Sequence, residues 1–179
     1  NKNYKVVKTS LILKLLNKHN YELIYKENIF GFTPFNNICF LDNVELLKNI
    51  FSLDITYNEY DNKGLNFIHY CIINNSMNIF YYLLKTYPKI IKIRTKKELL
   101  TPLMLCIIHN RIEMAKEIYN LSELNCTDIY GNTNYHYLVM YSRYNMINFI
   151  DNHNEKNKIG ISPKEYILRK LIISIYNNE

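Results

Sequence analysis

Residues 128–138 read DIYGNTNYHYL, and residues 61–71 read DNKGLNFIHYC. In each, an aspartate is followed by glycine three residues on, by Thr or Asn five on, and by histidine eight on. Related fragments stand at 31–35 (GFTPF) and 101–106 (TPLMLC). Working outward from Gly131, the chain's four glycines, Gly31, Gly64, Gly131 and Gly160, share one phase, and Leu99 stands in for a glycine between the second and third. The steps between these positions are 33, 35, 32 and 29 residues, and Pro34, Pro102 and Pro163 each come three residues later. Glycine and proline are the strongest local punctuators of a fold. A recurrence near 33 residues identifies a repeat array.

Counting each marked position as zero, the columns align without internal gaps. At plus two stand Thr33, Asn66, Thr101, Thr133 and Ser162; at plus four, Phe35, Ile68, Leu103 and Tyr135; at plus seven, Ile38, Cys71, Cys106, Leu138 and Ile167. Thr or Ser before Pro predicts a helix start, with the hydroxyl capping exposed N–H groups and proline in the first turn. Asp42, Asn75, Asn110 and Ser142, at plus eleven, predict a turn; Asn and Asp tolerate the left-handed conformation that a helix end demands. Apolar residues at plus 13, 15, 16 and 19, such as Ile112, Met114, Ala115 and Ile118, have the period of a second helix. Each unit is therefore helix–turn–helix plus a loop, and it buries its apolar faces by stacking on its neighbours.

These fragments together resemble the ankyrin repeat, whose pattern is an acidic residue, Gly, Thr-Pro-Leu-His and then small residues. The resemblance spans residues 27–170 and implies an all-α ankyrin-repeat solenoid of about four central repeats with degenerate terminal caps. The expected divisions of the single domain are a cap at 1–26, repeats at 27–59, 60–94, 95–126 and 127–156, and a cap at 157–179. Leu11, Leu13, Leu15, Leu16, Leu23 and Ile24 supply the first cap, and Leu168, Leu171, Ile172 and Ile175 the last. The chain departs from the pattern at Leu99, at Asn66-Phe67 in place of Thr-Pro, at Asn134 in place of Pro, and in its bulky inner-helix residues. The resemblance also implies that His69 and His136 hydrogen-bond backbone between neighbouring repeats.

Composition bounds the rest. At 179 residues with 48% hydrophobic content, one domain with a core is expected. Abundant Asn, Ile and Lys point to an AT-rich source such as a large DNA virus or an intracellular parasite. The net charge is +6, and Lys85, Lys89, Lys92, Arg94, Lys96 and Lys97 form a run without an acid. Such a run is either a solvated interhelical loop or a basic finger for an acidic partner. Its cations are not interleaved in sequence with stacking aromatics, which disfavours single-strand nucleic-acid binding. Cys39, Cys71 and Cys106 read as small core fillers on successive inner helices. Stacked units about 10 Å apart would keep them beyond disulfide reach. No signal peptide or apolar stretch of membrane-spanning length is visible, so a cytoplasmic or nuclear location is expected.

No catalytic, cofactor-binding or metal-binding motif is present, and no enzyme is expected. His69 and Cys71 lie two apart on a predicted helix and do not face each other; Cys106 and His109, three apart, share a face but lack an orienting group. Ankyrin-like stacks bind partners through finger tips and the exposed side of the first helix. Carried onto this chain, those positions are Ile29, Phe30, Phe32, Phe40 and Leu41; Asn62, Lys63, Leu65, Ile73 and Asn74; Lys97, Glu98, Leu100, Ile108 and His109; and Ile129, Tyr130, Asn132, Met140 and Tyr141. Thirteen of the twenty are apolar or aromatic, which marks an interaction surface. The expectation is a non-enzymatic module that binds another protein's helix or extended peptide in a concave apolar groove. Family analogy extends this to a viral or parasite factor that sequesters a host regulator, as inhibitor-of-NF-κB-like proteins do, or recruits a target to a ubiquitin ligase. The groove could also self-associate. The rival expectations are an electrostatic binder of nucleic acid or anionic membrane through 85–97, and a targeting domain of a larger protein.

Overall fold

The structure is a computed structural model and describes residues 21–29, 33–52, 56–150 and 154–176. The apolar run 11–16, Phe30, Gly31 and Phe32 lie outside the described residues. Regular structure among the described residues is entirely helical. The α-helices are α1 (Pro34–Leu41), α2 (Val44–Phe51), α3 (Phe67–Asn74), α4 (Met77–Thr86), α5 (Pro102–Ile108), α6 (Ile112–Tyr119), α7 (Asn134–Met140) and α8 (Pro163–Tyr176). Short 3-10 turns cover Tyr21–Tyr25, Pro88–Lys92 and Tyr144–Met146. No described helix is long and apolar enough to cross a membrane. The chain forms two compact units, residues 1–97 and 98–179.

Helix starts track the plus-two column. The Thr33 and Thr101 hydroxyls accept from the Asn36 and Met104 N–H groups at 3.0 and 3.1 Å, with proline at the first helical position of α1 and α5. Where the Thr-Pro pair is broken, the cap survives. Asn66 Oδ1 accepts from the His69 N–H and Thr133 Oγ1 from the His136 N–H, both at 3.4 Å. The amide brings one liability: Asn66 is fully buried, and its Nδ2 has no hydrogen-bond partner.

Helix ends track the plus-eleven column. Asp42, Asn75, Asn110 and Ser142 all adopt left-handed backbone, with φ between 51° and 60°. That conformation lets the chain reverse within two residues. The second helices then bury the predicted faces: Leu47 and Ile50 on α2, Ile79, Phe80 and Leu83 on α4, and Met114, Ala115 and Ile118 on α6. In the first unit α1 packs against α3 and α2 against α4; in the second, α5 packs against α6 and α7, and α7 against α8. The fourth repeat departs from expectation: its second helix is reduced to the 3-10 turn Tyr144–Met146, although Met146 and Ile150 are still buried. Asn145 and Asn148 are weak helix formers, and this repeat is also the shortest.

Neighbouring repeats are tied by side chains at helix ends. The Asp42 carboxylate accepts from the Asn78 and Ile79 N–H groups and so caps α4. Arg143 donates to the Ile107 and Ile108 carbonyls at the end of α5. Lys170 donates to the Val139 and Met140 carbonyls at the end of α7. A cation at a helix C-terminus is the favourable sense for the helix dipole. The cysteines sit closer than unit spacing suggests. Cys39 and Cys71 are buried thiols with their sulfurs 3.8 Å apart, Cys71 donating to Cys39. Their side chains point toward each other across the α1–α3 contact, so the spacing between units overestimates their separation.

Leu99 has φ 58°, so it holds the glycine position in the conformation that its glycine counterparts adopt, Gly131 having φ 79°. A branched residue there costs about 1–2 kcal/mol, and glycine gives back about 0.4–1 in chain entropy. Leu99→Gly should therefore raise the unfolding free energy by roughly 0.5–1 kcal/mol in urea titrations. Gly131→Ala should lower it, because a Cβ there would lie 2.9 Å from the Lys158 backbone nitrogen. Asn66→Thr keeps the cap acceptor and removes the orphaned Nδ2. It should gain on the order of 1 kcal/mol in the same assay.

Candidate functional site

The loops that precede α3 and α7 are built on a carboxylate. Asp128 Oδ1 accepts from the Tyr130 and Asn132 N–H groups at 2.8 Å, and its Oδ2 accepts from the Tyr137 hydroxyl at 2.7 Å. Asp61 repeats this with Lys63, Leu65 and Tyr70. Asn157 takes the same place in the last loop, accepting from Ile159 and Ile161. Reading the columns alone misses the tyrosine partners. Their fixed offset of nine residues from the aspartate, in two repeats, is the signal that could have found them. Burial and the aspartate push both phenols well above their ordinary value.

Backbone hydrogen bonds run from loop to loop. In the first unit the Lys96 N–H donates to the Gly64 carbonyl. In the second, the Ile129 N–H donates to Glu98 O and the Lys158 N–H to Tyr130 O, while Lys158 Nζ reaches Ile129 O at 2.7 Å. Loops 98–100, 129–132 and 157–161 thus form one pinned row. At the tips, Ile29 is 92% exposed, Tyr130 58% and Ile159 69%. Ile159 is not among the residues expected from sequence, because its segment reads there as a cap, although it shares the minus-one column with Tyr130. Leu65, Leu100 and Ile129 are half-buried.

The first-helix positions divide. Phe40 and Tyr141 are exposed, the Tyr141 ring stacking on Tyr137 with centroids 6.1 Å apart. Leu41, Ile73, Ile108, His109 and Met140 are half-buried. Each unit therefore brings some of the expected contact residues to solvent: Ile29 and Phe40 in the first, Tyr130 and Tyr141 in the second.

The basic run is held in place. Ile90, Ile91 and Thr95 are buried, so Lys89, Lys92, Lys96 and Lys97 project from an anchored segment, with Arg94 half-buried. One of these cations does meet a tyrosine in space, Lys96 lying over the Tyr60 ring at 4.6 Å, while nearby Tyr87 stacks on Tyr57 at 4.5 Å. Lys96 and Tyr57 thus already occupy a face of each of these two rings. Residues 1–97 hold 14 Lys/Arg against 7 Asp/Glu, residues 98–179 hold 8 against 9, and no acid occurs between Asp61 and Glu98. All of the excess positive charge therefore belongs to the first unit.

His69 and His136 have both ring nitrogens engaged. His69 Nδ1 accepts from the Asn66 N–H at 3.0 Å, and Nε2 sits 3.0 Å from the Ile93 carbonyl, which assigns the proton to Nε2. His136 does the same with Thr133 and Ile161. Burial pushes His69 down to about 4 and lowers His136. Cys106 is fully buried and its thiol is pushed well up. Burial, with Arg111 and Arg143 nearby, lowers His109. Among the described residues no group of three His, Cys, Asp or Glu is placed to hold a metal.

No family model matches the chain, and no curated protein matches it. Solved structures do. One is the complex of a predatory endopeptidase from Bdellovibrio bacteriovorus with an immunity protein, in which the match covers 82% of this chain and 78% of that chain, with TM-score 0.62 and 18% identity. The likeness is one of fold.

A histidine held neutral by the fold contributes stability that is complete above its unfolded value of 6.5 and is lost as pH falls. Protonating His69 would put a proton on Nδ1 facing the Asn66 N–H. The unfolding free energy should fall between pH 6.5 and about 4, by on the order of 3 kcal/mol from His69, with His136 adding in the same direction. Urea midpoints across that range check this; a His69→Gln variant should show a shallower slope.

Proposed function

We propose that the chain is an ankyrin-type repeat module without catalytic activity, and that it grips a partner protein through its loop tips and the exposed sides of its first helices. The observation that carries this reading is the pairing of rigidity with apolar exposure. Ile29, Tyr130 and Ile159 stand at loop tips, and the second-unit tips stand on a hydrogen-bonded row that leaves them little freedom to tuck inward. Large apolar side chains on a pre-organised backbone lose little entropy on binding. Aromatic residues are favoured at the centre of protein interfaces. The composition supports the expectation that the partner is a host protein of a virus or intracellular parasite; the fold alone does not name it.

A second reading has its own observation. The first unit carries all the excess positive charge, and Lys85, Lys89, Lys96 and Lys97 make no ion pair among the described residues. An anionic polymer or membrane would find them there. About four phosphate contacts would give a salt slope near −3.6 on duplex DNA.

A photo-crosslinking residue placed at Tyr130 should capture discrete proteins from eukaryotic cytosolic extract, in yields that hold as salt rises. The same residue at Glu113, on the outer helix α6, should capture none of them. Equal crosslinking from both positions, or retention only of nucleic acid that salt removes with the slope above, would favour the electrostatic reading.

A further inference from the structure

The last helix breaks the rule that every earlier repeat obeys. At plus eleven, where Asp42, Asn75, Asn110 and Ser142 turn left-handed, the fifth repeat has Leu171. No turn forms, and α8 runs straight from Pro163 to Tyr176. Two apolar sets that meet inside the other repeats are thereby held apart on one rod. The first is the plus-eight residue. Cys39, Ile72, Ile107 and Val139 are at most 1% exposed, whereas Leu168 is 50% exposed. The second is the second-helix set: Ile79, Phe80, Met114, Ala115 and Met146 are fully buried and Ile147 is 37% exposed, whereas Ile175 and Tyr176 are more than half exposed. The inner face of α8 is already used: Tyr166 packs edge-on against His136, and Lys170 holds the end of α7. Leu168, Leu171, Ile172 and Ile175 lie on the opposite face at i, i+3, i+4 and i+7.

We propose that this face pairs with the same face of a second copy, antiparallel, forming a two-fold dimer. The stripe is self-complementary. With the axis between Leu171 and Ile172, Leu168 meets the partner's Ile175, and Arg169 meets the partner's Ser174, so no like charges confront each other. Each copy then receives from the other the helix that its own straight α8 does not fold back. This is the logic of element exchange in symmetric dimers. Leu168, Leu171, Ile172 and Ile175, with Tyr176 on their flank, present roughly 600 Å² per copy, so a symmetric contact that covers them buries about 1,200 Å², the lower bound of stable interfaces.

Sedimentation velocity on the 179-residue chain from about 1 to 100 μM should show monomer converting to dimer. Leu168→Glu/Ile175→Glu should be monomeric throughout with its circular dichroism retained. Leu171→Asn, which restores the turn residue, should also be monomeric, through a fold-back that keeps helicity. Tyr130→Asp, at the proposed partner surface, should dimerise as the parent does. A parent that is monomeric at about 100 μM, including one whose α8 instead crosslinks to a different protein, overturns the proposal. So does a dimer that persists in the helical Leu168→Glu/Ile175→Glu variant. Partner capture from Tyr130 is read separately, so either proposal can fail alone.

Discussion

A left-handed residue eleven positions after the loop apex governs this molecule. Asp42, Asn75, Asn110 and Ser142 each accept a conformation that favours glycine, and each is small and polar. The strain is offset by the packing that an immediate reversal allows, as α4 and α6 lay their apolar sides on the helices before them and α2 buries Leu47 and Ile50. Asp42 also lends its carboxylate to the start of α4, so one residue turns its own repeat and caps the next. Where the turn residue is missing, at Leu171, the reversal is missing too, and the apolar pattern is carried out into solvent. Secondary structure here is thus set less by helix propensity than by a single dihedral.

That dependence explains which parts of the fold are legible in the sequence. Caps and turns are local, so Thr33, Asn66, Thr101 and Thr133 announce the helix starts and the plus-eleven column announces their ends. Leu99 is legible for the same reason, since the phase of the array demands a positive φ whatever the side chain. The tyrosine hydroxyls on Asp61 and Asp128, and the meeting of Cys39 with Cys71, depend on side-chain direction across packed helices, which a column alignment does not carry. The straightness of α8 is readable in principle from Leu171. It is masked by the general irregularity of terminal repeats, which makes a broken column there look unremarkable.

The surface divides along the same line. Loop-tip residues such as Ile29 and Tyr130 read as exposed from sequence and are exposed, because a tip has nothing above it. The plus-nine and plus-ten positions sit on helix shoulders, where exposure depends on the size of neighbours, so Phe40 emerges and Ile73 and Met140 are half-covered. The basic run, a loop or a finger by its composition, is the end of α4, a 3-10 turn nailed down by Ile90 and Ile91, and the irregular segment after it. Its lysine stems rise from backbone fixed in place.

The histidine bonds carry one more meaning. His69 reaches the far end of its own repeat and His136 the start of the segment that follows, and each finds there a main-chain carbonyl, Ile93 or Ile161. The mortise is peptide, and every residue type supplies it. A repeat joined this way places no demand on the side-chain alphabet of its successor. Such a chain can absorb a strong nucleotide bias, exchanging alanines for isoleucines and threonines for asparagines, while its joints stay in register. Kinship would then fade from the letters long before it faded from the shape, and a repeat could be duplicated or lost without a matching change next door.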